Sequence, residues 1–594
     1  MTNVRRADTS SDPVLLGDLA RAAGIDTDWQ DVDGRRHVVP AETLRGVLAA
    51  LDLPANSAAQ ARDSLARRRA LPVVPTPGSG HCYPPPEGRR YAIVAQTFSL
   101  RRSTDQGIGD YTALAELGAG APGAALIGLS PPHALMPVER DRASPYQPSD
   151  RRFLEPVLLD LAALAPMGET VAAALDVAEP AFAALRECTC VDYPAVWATK
   201  RPVLEAAFRA APRKELDAFH RAGGRVLDDF ATFAALSDRF GPRRAWPAGF
   251  EHPGDAGIAA FRANATDAIR FHVFLQWLCD RQLKEAAAAG PGLYRDLAVG
   301  AAPDGSEVWS QPTRFLRGFS IGAPPDPYSV SGQIWGIPVP DPHRSAAEGH
   351  AGFAALVAAN MRHARALRLD HAMGLERLFV IPDGAEARDG CYLRYDAGGL
   401  MTALARESRA AQCSVIGEAL GTVPEGFRDR LATAGVLAYR VLWFERDAAG
   451  LRHPKHWPAF AACCVSTHDL PPLAGWWQGS DIAEAEALGL LAPAGAILAR
   501  QHRAEDRAAV AAAAGTDVAT FNPDAAGAVY RHVSQAPCAL LLVPTEDLIG
   551  ETNGVNRPGT DKERPNWRLR HPVTMDALFA NPYATAIMNA IGRH

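Results

Sequence analysis

The stretch Ala366-Leu367-Arg368-Leu369-Asp370-His371 decides how the rest of the sequence is interpreted. An apolar run that ends abruptly in charged residues is typical of a buried barrel strand whose last residues emerge into an active site. Arg368 and Asp370 are two residues apart, so on a strand their side chains point to the same face. The guanidinium is then expected to lower the pKa of the carboxyl group and keep it ionised, which suits a nucleophile. A structural ion pair is the alternative explanation.

Seven other short apolar runs alternate with helical segments, and most of the runs end in polar residues. In chain order, the eight runs are 91–98, 125–131, 293–299, 366–371, 414–418, 436–444, 463–469 and 539–543. This alternation predicts an α/β fold, a (β/α)8 TIM barrel, in which the residues at the carboxyl ends of the strands carry the chemistry. Asp370, Glu418 and Asp469 lie at such ends.

The chain has 594 residues, a length that allows several domains or one barrel with long insertions. Apolar residues at helical spacing predict a small helical N-terminal domain over 1–70, and the Pro- and Gly-rich stretch 71–88 predicts a linker. The catalytic barrel is expected over 89–594. Uneven spacing of the strands predicts large helical and loop insertions at its C-terminal face, at about 150–290, 300–360 and 480–535.

Composition and charge exclude several classes of protein. The net charge is -6 and the basic residues are scattered, so no nucleic-acid partner is expected. The sequence contains no signal-peptide pattern and no run of about 18 apolar residues, which predicts a cytoplasmic protein without membrane contact. The nine cysteines lack zinc-site spacing and a disulfide pattern, so we expect reduced thiols. The sequence predicts no particular oligomeric state.

Three carboxylates at neighbouring strand ends favour glycosidic chemistry, which needs one carboxylate that attacks and one protonated acid. Asp370 suits the nucleophile. Glu418 ends an apolar run with no adjacent cation, so burial is expected to raise its pKa and make it the acid. Asp469 follows His468, and such a couple can hold sugar hydroxyls more tightly as the sugar ring flattens.

Other interpretations of these residues remain open at this point. Glu418 can also cap a helix or form an ion pair, and the couple at 468–469 can form a structural hydrogen bond or half of a metal site. His363 and His371 could join the aspartates in a metallohydrolase barrel. That hypothesis is weaker, because no His-x-His pattern ends a strand and no bridging lysine is present, so we expect no metal.

Several short motifs follow one another along the chain. They are Ser99-Leu100-Arg101 with Gly107-Ile108-Gly109-Asp110, Ala143-Ser144-Pro145-Tyr146-Gln147-Pro148, Leu293-Tyr294-Arg295-Asp296-Leu297-Ala298-Val299, Gly322-Ala323-Pro324-Pro325-Asp326 with Gly332-Gln333-Ile334-Trp335-Gly336, Arg368-Leu369-Asp370-His371, Gly417-Glu418 with Leu420-Gly421-Thr422-Val423-Pro424, Thr467-His468-Asp469-Leu470-Pro471, and Asn556-Arg557-Pro558-Gly559-Thr560 with Asn566-Trp567. In this order they resemble glycoside hydrolase family 77, the 4-alpha-glucanotransferases or amylomaltases, over about residues 90–575. One motif alone is weak evidence, whereas the whole ordered set is specific.

The resemblance implies a retaining transfer of an α-1,4-glucan segment to the 4-hydroxyl of glucose or a maltooligosaccharide, without metal or organic cofactor. In the family, the residues that match Asp370, Glu418 and Asp469 attack the anomeric carbon, protonate the leaving glucan and stabilise the transition state. The residues matched to substrate binding are Arg368, His468, Asp296, Tyr146, Ser144, Trp335, Asp326 and Asn556. Asp296 could instead support Arg368, and Trp335 could serve only as a loop anchor. The loop 324–333 is expected to act as a lid.

Two alternatives to the transferase stay open. One is an α-1,4-glucan hydrolase of the same clan with a wetter acceptor side, and the other is a catalytically silent glucan-binding protein. The sequence also departs from the family, most notably at Ala419, where an Asp commonly follows the acid, and at Ser130 and Pro472. We expect these changes to tune donor binding and the pKa of Glu418 without abolishing activity. The expected setting is carbohydrate metabolism, either maltodextrin use or glycogen turnover.

Overall fold

The computed structural model describes residues 12–592 except 32–33, 71–79, 327–328, 330 and 449. Its strands are β1 (Asp28–Gln30), β2 (Arg36–Val38), β3 (Arg90–Ala95), β4 (Leu126–Leu129), β5 (His133–Ala134), β6 (Asp150–Leu154), β7 (Leu293–Leu297), β8 (Phe315–Ala323), β9 (Gln333–Pro340), β10 (Ala364–Leu369), β11 (Arg377–Pro382), β12 (Cys391–Arg394), β13 (Ser414–Gly417), β14 (Val436–Val441), β15 (Arg446–Asp447), β16 (Gly450–Leu451), β17 (Ala461–Cys464) and β18 (Leu540–Pro544). Its α-helices are α1 (Pro13–Ala22), α2 (Ala41–Ala50), α3 (Ala58–Ala70), α4 (Tyr111–Gly120), α5 (Glu169–Arg186), α6 (Tyr193–Arg209), α7 (Arg213–Phe240), α8 (Ala256–Asn264), α9 (Thr266–Ala289), α10 (Ser306–Ser310), α11 (Pro342–Ala347), α12 (Ala351–Met361), α13 (Ala397–Ala411), α14 (Phe427–Thr433), α15 (Leu473–Gln478), α16 (Ser480–Ala487), α17 (Pro493–Ala514), α18 (Pro523–Ser534), α19 (Thr545–Leu548), α20 (Met575–Leu578) and α21 (Pro582–Ile591).

Eight parallel strands close into a barrel in the order β10-β13-β14-β17-β18-β3-β4-β7. They coincide with the eight apolar runs in the sequence, so the (β/α)8 prediction is confirmed. Every residue of β4, β13 and β17 is buried. Continuous burial is expected for parallel strands, because helices cover the outer face of the sheet and side chains fill the barrel.

The segment after the second barrel strand is mainly helical, as predicted. Helices α5 to α9 occupy most of it, and α7 packs along α9. Helix α9 buries Phe271, Phe274 and Leu278, which recur at helical spacing on one side. Helices α16 to α18 likewise occupy the predicted insertion near 480–535. The boundaries of these inserted subdomains stay a prediction.

A second sheet, with the order β12-β11-β8-β9, was not predicted from the sequence. Its neighbouring strands are antiparallel, and β8 and β9 lie in the segment that was expected to form loops. Gly318 and Gly322 weaken the strand signal of β8, and Pro338 weakens that of β9. Strand β8 is stabilised by pairing with β11, which follows the fourth barrel strand, and this pairing cannot be seen in the local sequence.

The N-terminal part is helical as predicted, but it also contains the hairpin β1-β2. Its apolar side chains pack on the second sheet and not on each other alone. The shared cluster includes Leu16, Leu19, Trp29, Leu44 and Val47 from the N-terminal part and Leu316, Ile321, Val339, Phe379 and Leu393 from the sheet. Residues 71–79 of the predicted linker lie outside the described residues, and 80–88 form neither helix nor strand. The domain boundaries at 70 and 88 stay predictions.

Within the described ranges, none of the helices combines the length and the apolar character that a membrane span requires.

Candidate active site

The predicted site residues converge at the carboxyl end of the barrel. In the register of β10 with β7, Arg368 lies opposite Asp296. In the register of β10 with β13, Leu369 lies opposite Gly417, so the next residues, Asp370 and Glu418, leave the barrel side by side. This convergence follows from the fold, because parallel barrel strands present all their carboxyl ends on one face.

Arg368 joins two of the carboxylates. Its Nη1 donates to both Asp296 carboxylate oxygens at 2.8 Å, and its Nη2 lies 3.0 Å from Oδ1 of Asp370. The predicted contact between Arg368 and Asp370 is therefore present. Asp296 also supports Arg368, which was one of its two proposed roles. The guanidinium is thus held rigidly from one side and presents its other edge to Asp370.

The pKa predicted for Asp370 was wrong in direction. Burial raises the pKa of its carboxyl group to about 7, and the neighbouring Asp296, Glu418 and Asp469 add to this effect, although Arg368 opposes it. In the sequence, Arg368 is the only charge visible next to Asp370 on the same strand. In the folded protein, Arg368 shares its charge with Asp296, and one guanidinium does not compensate for burial and several nearby carboxylates.

Glu418 is buried, with 8% of its surface exposed. Its Oε2 accepts a hydrogen bond from the backbone N–H of His371 at 2.8 Å, and its Oε1 accepts one from Leu420 at 3.0 Å. Burial raises the pKa of Glu418, while these two donors and Arg368 oppose the shift. The prediction of a raised pKa for this residue is confirmed, and the cause is the predicted one.

The third carboxylate, Asp469, is held from two sides. Its Oδ2 lies 3.2 Å from Nε2 of His468, and its Oδ1 accepts a 2.6 Å hydrogen bond from Nδ2 of Asn556. Although burial opposes the shift, His468 and Asn556 hold the pKa of Asp469 well below its usual range. The side chain of Asp469 remains 45% exposed. Asp469 is therefore an ionised carboxylate that faces open space in the site.

Three aromatic rings form a wall next to these carboxylates. The Tyr146 ring stacks on His468 with 4.8 Å between ring centroids, and its hydroxyl donates to Oδ2 of Asp296 at 2.6 Å. Trp567 lies against both rings, at 5.2 Å from Tyr146 and 5.6 Å from His468. Trp567 belongs to the last of the ordered motifs, but no role in the site was predicted for it. No local pattern marks it, since its contacts come from segments far away in the chain.

The remaining predicted binding residues lie around this wall. Trp335 packs edge-on against His371 at 5.1 Å, and its carbonyl oxygen accepts a hydrogen bond from Nε2 of Gln147. Ser144 accepts a hydrogen bond from the backbone N–H of Tyr146 and so belongs to the turn that carries this ring. Asp326 lies in the loop between β8 and β9, where its carboxylate accepts a bond from the Ser329 N–H at 2.6 Å. Direct sugar contacts by Ser144 and Asp326 stay predictions.

Ala419 occupies the position at which the family commonly has Asp. Its side chain is buried, and its carbonyl oxygen accepts a 3.1 Å hydrogen bond from Nη2 of Arg428. Burial lowers the pKa of Arg428. Arg428 is therefore a partly buried cation next to this position, and a carboxylate on residue 419 could form an ion pair with it.

A cavity of about 190 Å³ adjoins the site. Its lining includes Leu297, Leu369 and Leu375, together with Asp370 and His371 of the site itself. In the part of the chain that the structure describes, no group of three or more His, Cys, Asp or Glu side chains is arranged to hold a metal ion.

The chain is similar to known proteins over most of its length. The model of glycoside hydrolase family 77, described as 4-alpha-glucanotransferase, matches residues 95–574. The 4-alpha-glucanotransferase of Mycobacterium tuberculosis (strain H37Rv) is 36% identical over 550 residues, which cover 85% of this chain and 75% of that protein. The 4-alpha-glucanotransferase of Haemophilus influenzae is 30% identical over 538 residues, covering 83% and 76%.

The fold is similar as well. The crystal structure of amylomaltase from Corynebacterium glutamicum superposes with a TM-score of 0.86 and 26% identity, covering 98% of this chain and all of that one. The family match and the two relatives confirm the resemblance that the ordered motifs predicted. The chain therefore belongs to glycoside hydrolase family 77, the 4-alpha-glucanotransferases.

Proposed function

We propose that this protein transfers a segment of an α-1,4-glucan to the 4-hydroxyl of glucose or a maltooligosaccharide by a retaining double displacement. The observation that carries the proposal is the emergence of Asp370 and Glu418 side by side, with Arg368 on one carboxylate and two backbone donors on the other. A retaining enzyme needs two carboxyl groups about 5–5.5 Å apart, one that attacks and one that exchanges a proton.

In the first step, Asp370 attacks the anomeric carbon and forms an ester bond while the glycosidic C–O bond breaks. Glu418 gives its proton to the departing oxygen, so the shortened glucan leaves as a neutral alcohol. The working state has one proton on the pair. When Glu418 carries it, Glu418 no longer repels the charge on Asp370, and Arg368 then favours ionised Asp370.

Charge develops on the sugar as the bond breaks. The oxocarbenium-like transition state carries positive charge. An ionised carboxylate that His468 and Asn556 hold in a fixed position stabilises this charge. We assign this role to Asp469. Arg368, Asp296, Tyr146 and His468 complete the donor side, where polar groups bind ring hydroxyls and the aromatic wall packs on the C–H faces of the sugar.

In the second step, an acceptor hydroxyl attacks the anomeric carbon, the ester bond to Asp370 breaks, and Glu418 takes the proton of the hydroxyl. Transfer prevails when a sugar reaches the intermediate before water does. Trp335 lies where an acceptor sugar could bind, because its ring packs edge-on against His371, the residue that follows Asp370. We propose that Trp335 and the loop 324–333, to which Asp326 belongs, bind the acceptor. The names of the relatives favour the transferase over the hydrolase and the silent binding protein.

We also propose a cytoplasmic location with glucan donors and acceptors as the partners. The exposed Cys188 and the half-buried Cys190 are two residues apart and are both free thiols, which is typical of a reducing compartment.

The first experiment incubates the purified protein with maltotriose alone and follows the products by chromatography. A ladder of longer maltooligosaccharides together with glucose is expected. Maltose and glucose without longer chains would support the hydrolase. Binding of longer donors without any product would support the silent binding protein, and either result would overturn the transferase.

A further inference from the structure

Trp567 is the buried member of the aromatic wall and contacts the other two. Only 4% of its surface is exposed, and its ring lies against Tyr146 and His468. Phe98 approaches it from another side, with 6.5 Å between centroids and nearly perpendicular planes. The indole therefore fills the space on which the other two rings rest, and it packs too deeply to serve as the sugar platform itself.

The backbone of Trp567 is strained. Its φ is 61°, in the left-handed region that bulky residues rarely adopt. Two hydrogen bonds hold it there: its N–H donates to the carbonyl oxygen of Val555 at 2.9 Å, and the Tyr193 hydroxyl donates to its carbonyl oxygen at 2.9 Å. Such conformations persist only where the surroundings enforce them, and they concentrate at functional sites.

The two ring neighbours of Trp567 each hold a carboxylate. The Tyr146 hydroxyl donates to Asp296, and His468 lies 3.2 Å from Asp469. The backbone bond of Trp567 to Val555 also fixes the residue before Asn556, whose amide donates to Asp469. The indole thus supports two groups that orient carboxylates around the donor sugar, and the backbone of the same residue supports a third.

We propose that Trp567 is a positioning residue for the transfer reaction. It sets the planes of Tyr146 and His468, and through them it fixes Asp296 and Asp469 for the transition state. This role rests on the proposed functions of those carboxylates. A small displacement of fixed charges weakens transition-state stabilisation far more than it weakens substrate binding. Loss of the indole should therefore lower kcat more than it raises KM.

The test compares Trp567→Leu and Trp567→Phe with a matched control, Trp29→Leu. Trp29 is also 4% exposed and stacks on a histidine, His37, but it belongs to the cluster between the N-terminal part and the second sheet. All variants are assayed for disproportionation of maltotriose, per mole of protein shown to be folded by its thermal unfolding transition.

For Trp567→Leu we expect kcat to fall by about 10- to 100-fold while KM changes less than about threefold. Trp567→Phe should recover most of the loss, because an aromatic ring still supports Tyr146 and His468. Trp29→Leu should lower the thermal unfolding temperature but leave kcat of the folded protein within about twofold. An unchanged kcat in Trp567→Leu, or a loss that appears only in KM, would overturn the inference.

Tyr193→Phe provides a variant that keeps the indole if Trp567→Leu does not fold. It removes only the hydroxyl that holds the Trp567 carbonyl oxygen. We expect kcat to fall by about two- to fivefold with KM unchanged, and unaltered kinetics in a folded Tyr193→Phe protein would contradict the proposal. The wild-type assay distinguishes failure of the proposed function from failure of the inference about Trp567. An inactive wild-type protein refutes the proposed function, whereas an active wild type with unaltered kinetics in the variants refutes the positioning role.

Discussion

The backbone N–H of His371 donates a 2.8 Å hydrogen bond to Oε2 of Glu418. His371 directly follows Asp370, so the residue proposed as acid is tied to the same chain segment that carries the proposed nucleophile. His371 adopts a φ of 47°, which turns the chain at this point. The segment therefore couples the positions of the two carboxyl groups, whose spacing determines whether a glycosidase retains configuration.

Glu418→Gln removes the proton donor and keeps one of the two backbone hydrogen bonds, because its amide group has a single acceptor oxygen. We expect transfer from maltotriose to slow by about 10²- to 10⁴-fold. A nitrophenyl maltooligosaccharide should still react in the first step, because its leaving group departs without protonation. The measurement is a rapid burst of nitrophenol followed by slow turnover. Equal losses with both donors, without a burst, would contradict the role of Glu418 as acid and base.

Asp370→Asn should abolish turnover and stabilise the fold. We expect kcat to fall by at least about 10³-fold with maltooligosaccharide binding retained. The pKa of Asp370 is about 7 in the folded protein and about 3.9 in an unfolded chain, so ionisation destabilises the native state. This cost is absent below pH 4 and complete above pH 7. The variant should therefore gain at most about 4 kcal/mol at pH 8 and almost nothing at pH 4.

Urea unfolding at pH 4 and pH 8 measures this difference, and Asp238→Asn is its control. Asp238 is similarly buried, but His272 and Arg201 hold its pKa below the usual range although burial opposes them. Its ionised form stabilises the fold at pH 8, so this variant should lose stability there. Equal behaviour of the two variants would refute the assigned pKa of Asp370.

Asn556 should affect activity through Asp469. Asn556→Ala removes the 2.6 Å hydrogen bond to Oδ1 of Asp469, so the pKa of Asp469 should rise and kcat should fall by about tenfold. Asn556→Asp places a second negative charge there and should raise that pKa further. Asp370, whose pKa is about 7, sets the acidic limb of the pH–rate profile, so this limb should stay in place while kcat above pH 7 falls in the order wild type, Ala, Asp. An unchanged kcat would remove Asn556 from this role.

Ala419→Asp tests the departure from the family. The new carboxylate would lie next to Arg428 and one residue from Glu418. Its negative charge should raise the pKa of Glu418, partly compensated by Arg428, and so extend activity by about half a pH unit on the alkaline side. Ala419→Asn has the same shape without the charge and should leave the profile unchanged. A shift in both variants would point to packing and not to charge.

Much of the fold could be predicted because its signals are local. The eight barrel strands are short, mainly apolar runs, and most of them are followed by polar residues at the carboxyl face of the barrel. The second sheet escaped prediction because glycine and proline weaken β8 and β9, and because their order comes from pairing with β11. The hairpin β1-β2 was not predicted because each of its strands has only three residues, too few for a recognisable pattern.

The sequence by itself determined the barrel and the family, and it predicted Asp370, Glu418 and Asp469 as the catalytic carboxylates, because apolar periodicity and ordered motifs are properties of the chain. Only the tertiary structure decided the pKa of Asp370 and the place of Trp567. A pKa sums burial and every nearby charge, and the charges of Asp296, Glu418 and Asp469 reach Asp370 only after folding. Trp567 lies 421 residues from Tyr146 and 99 residues from His468 in the chain, and no pattern within a short window records such contacts.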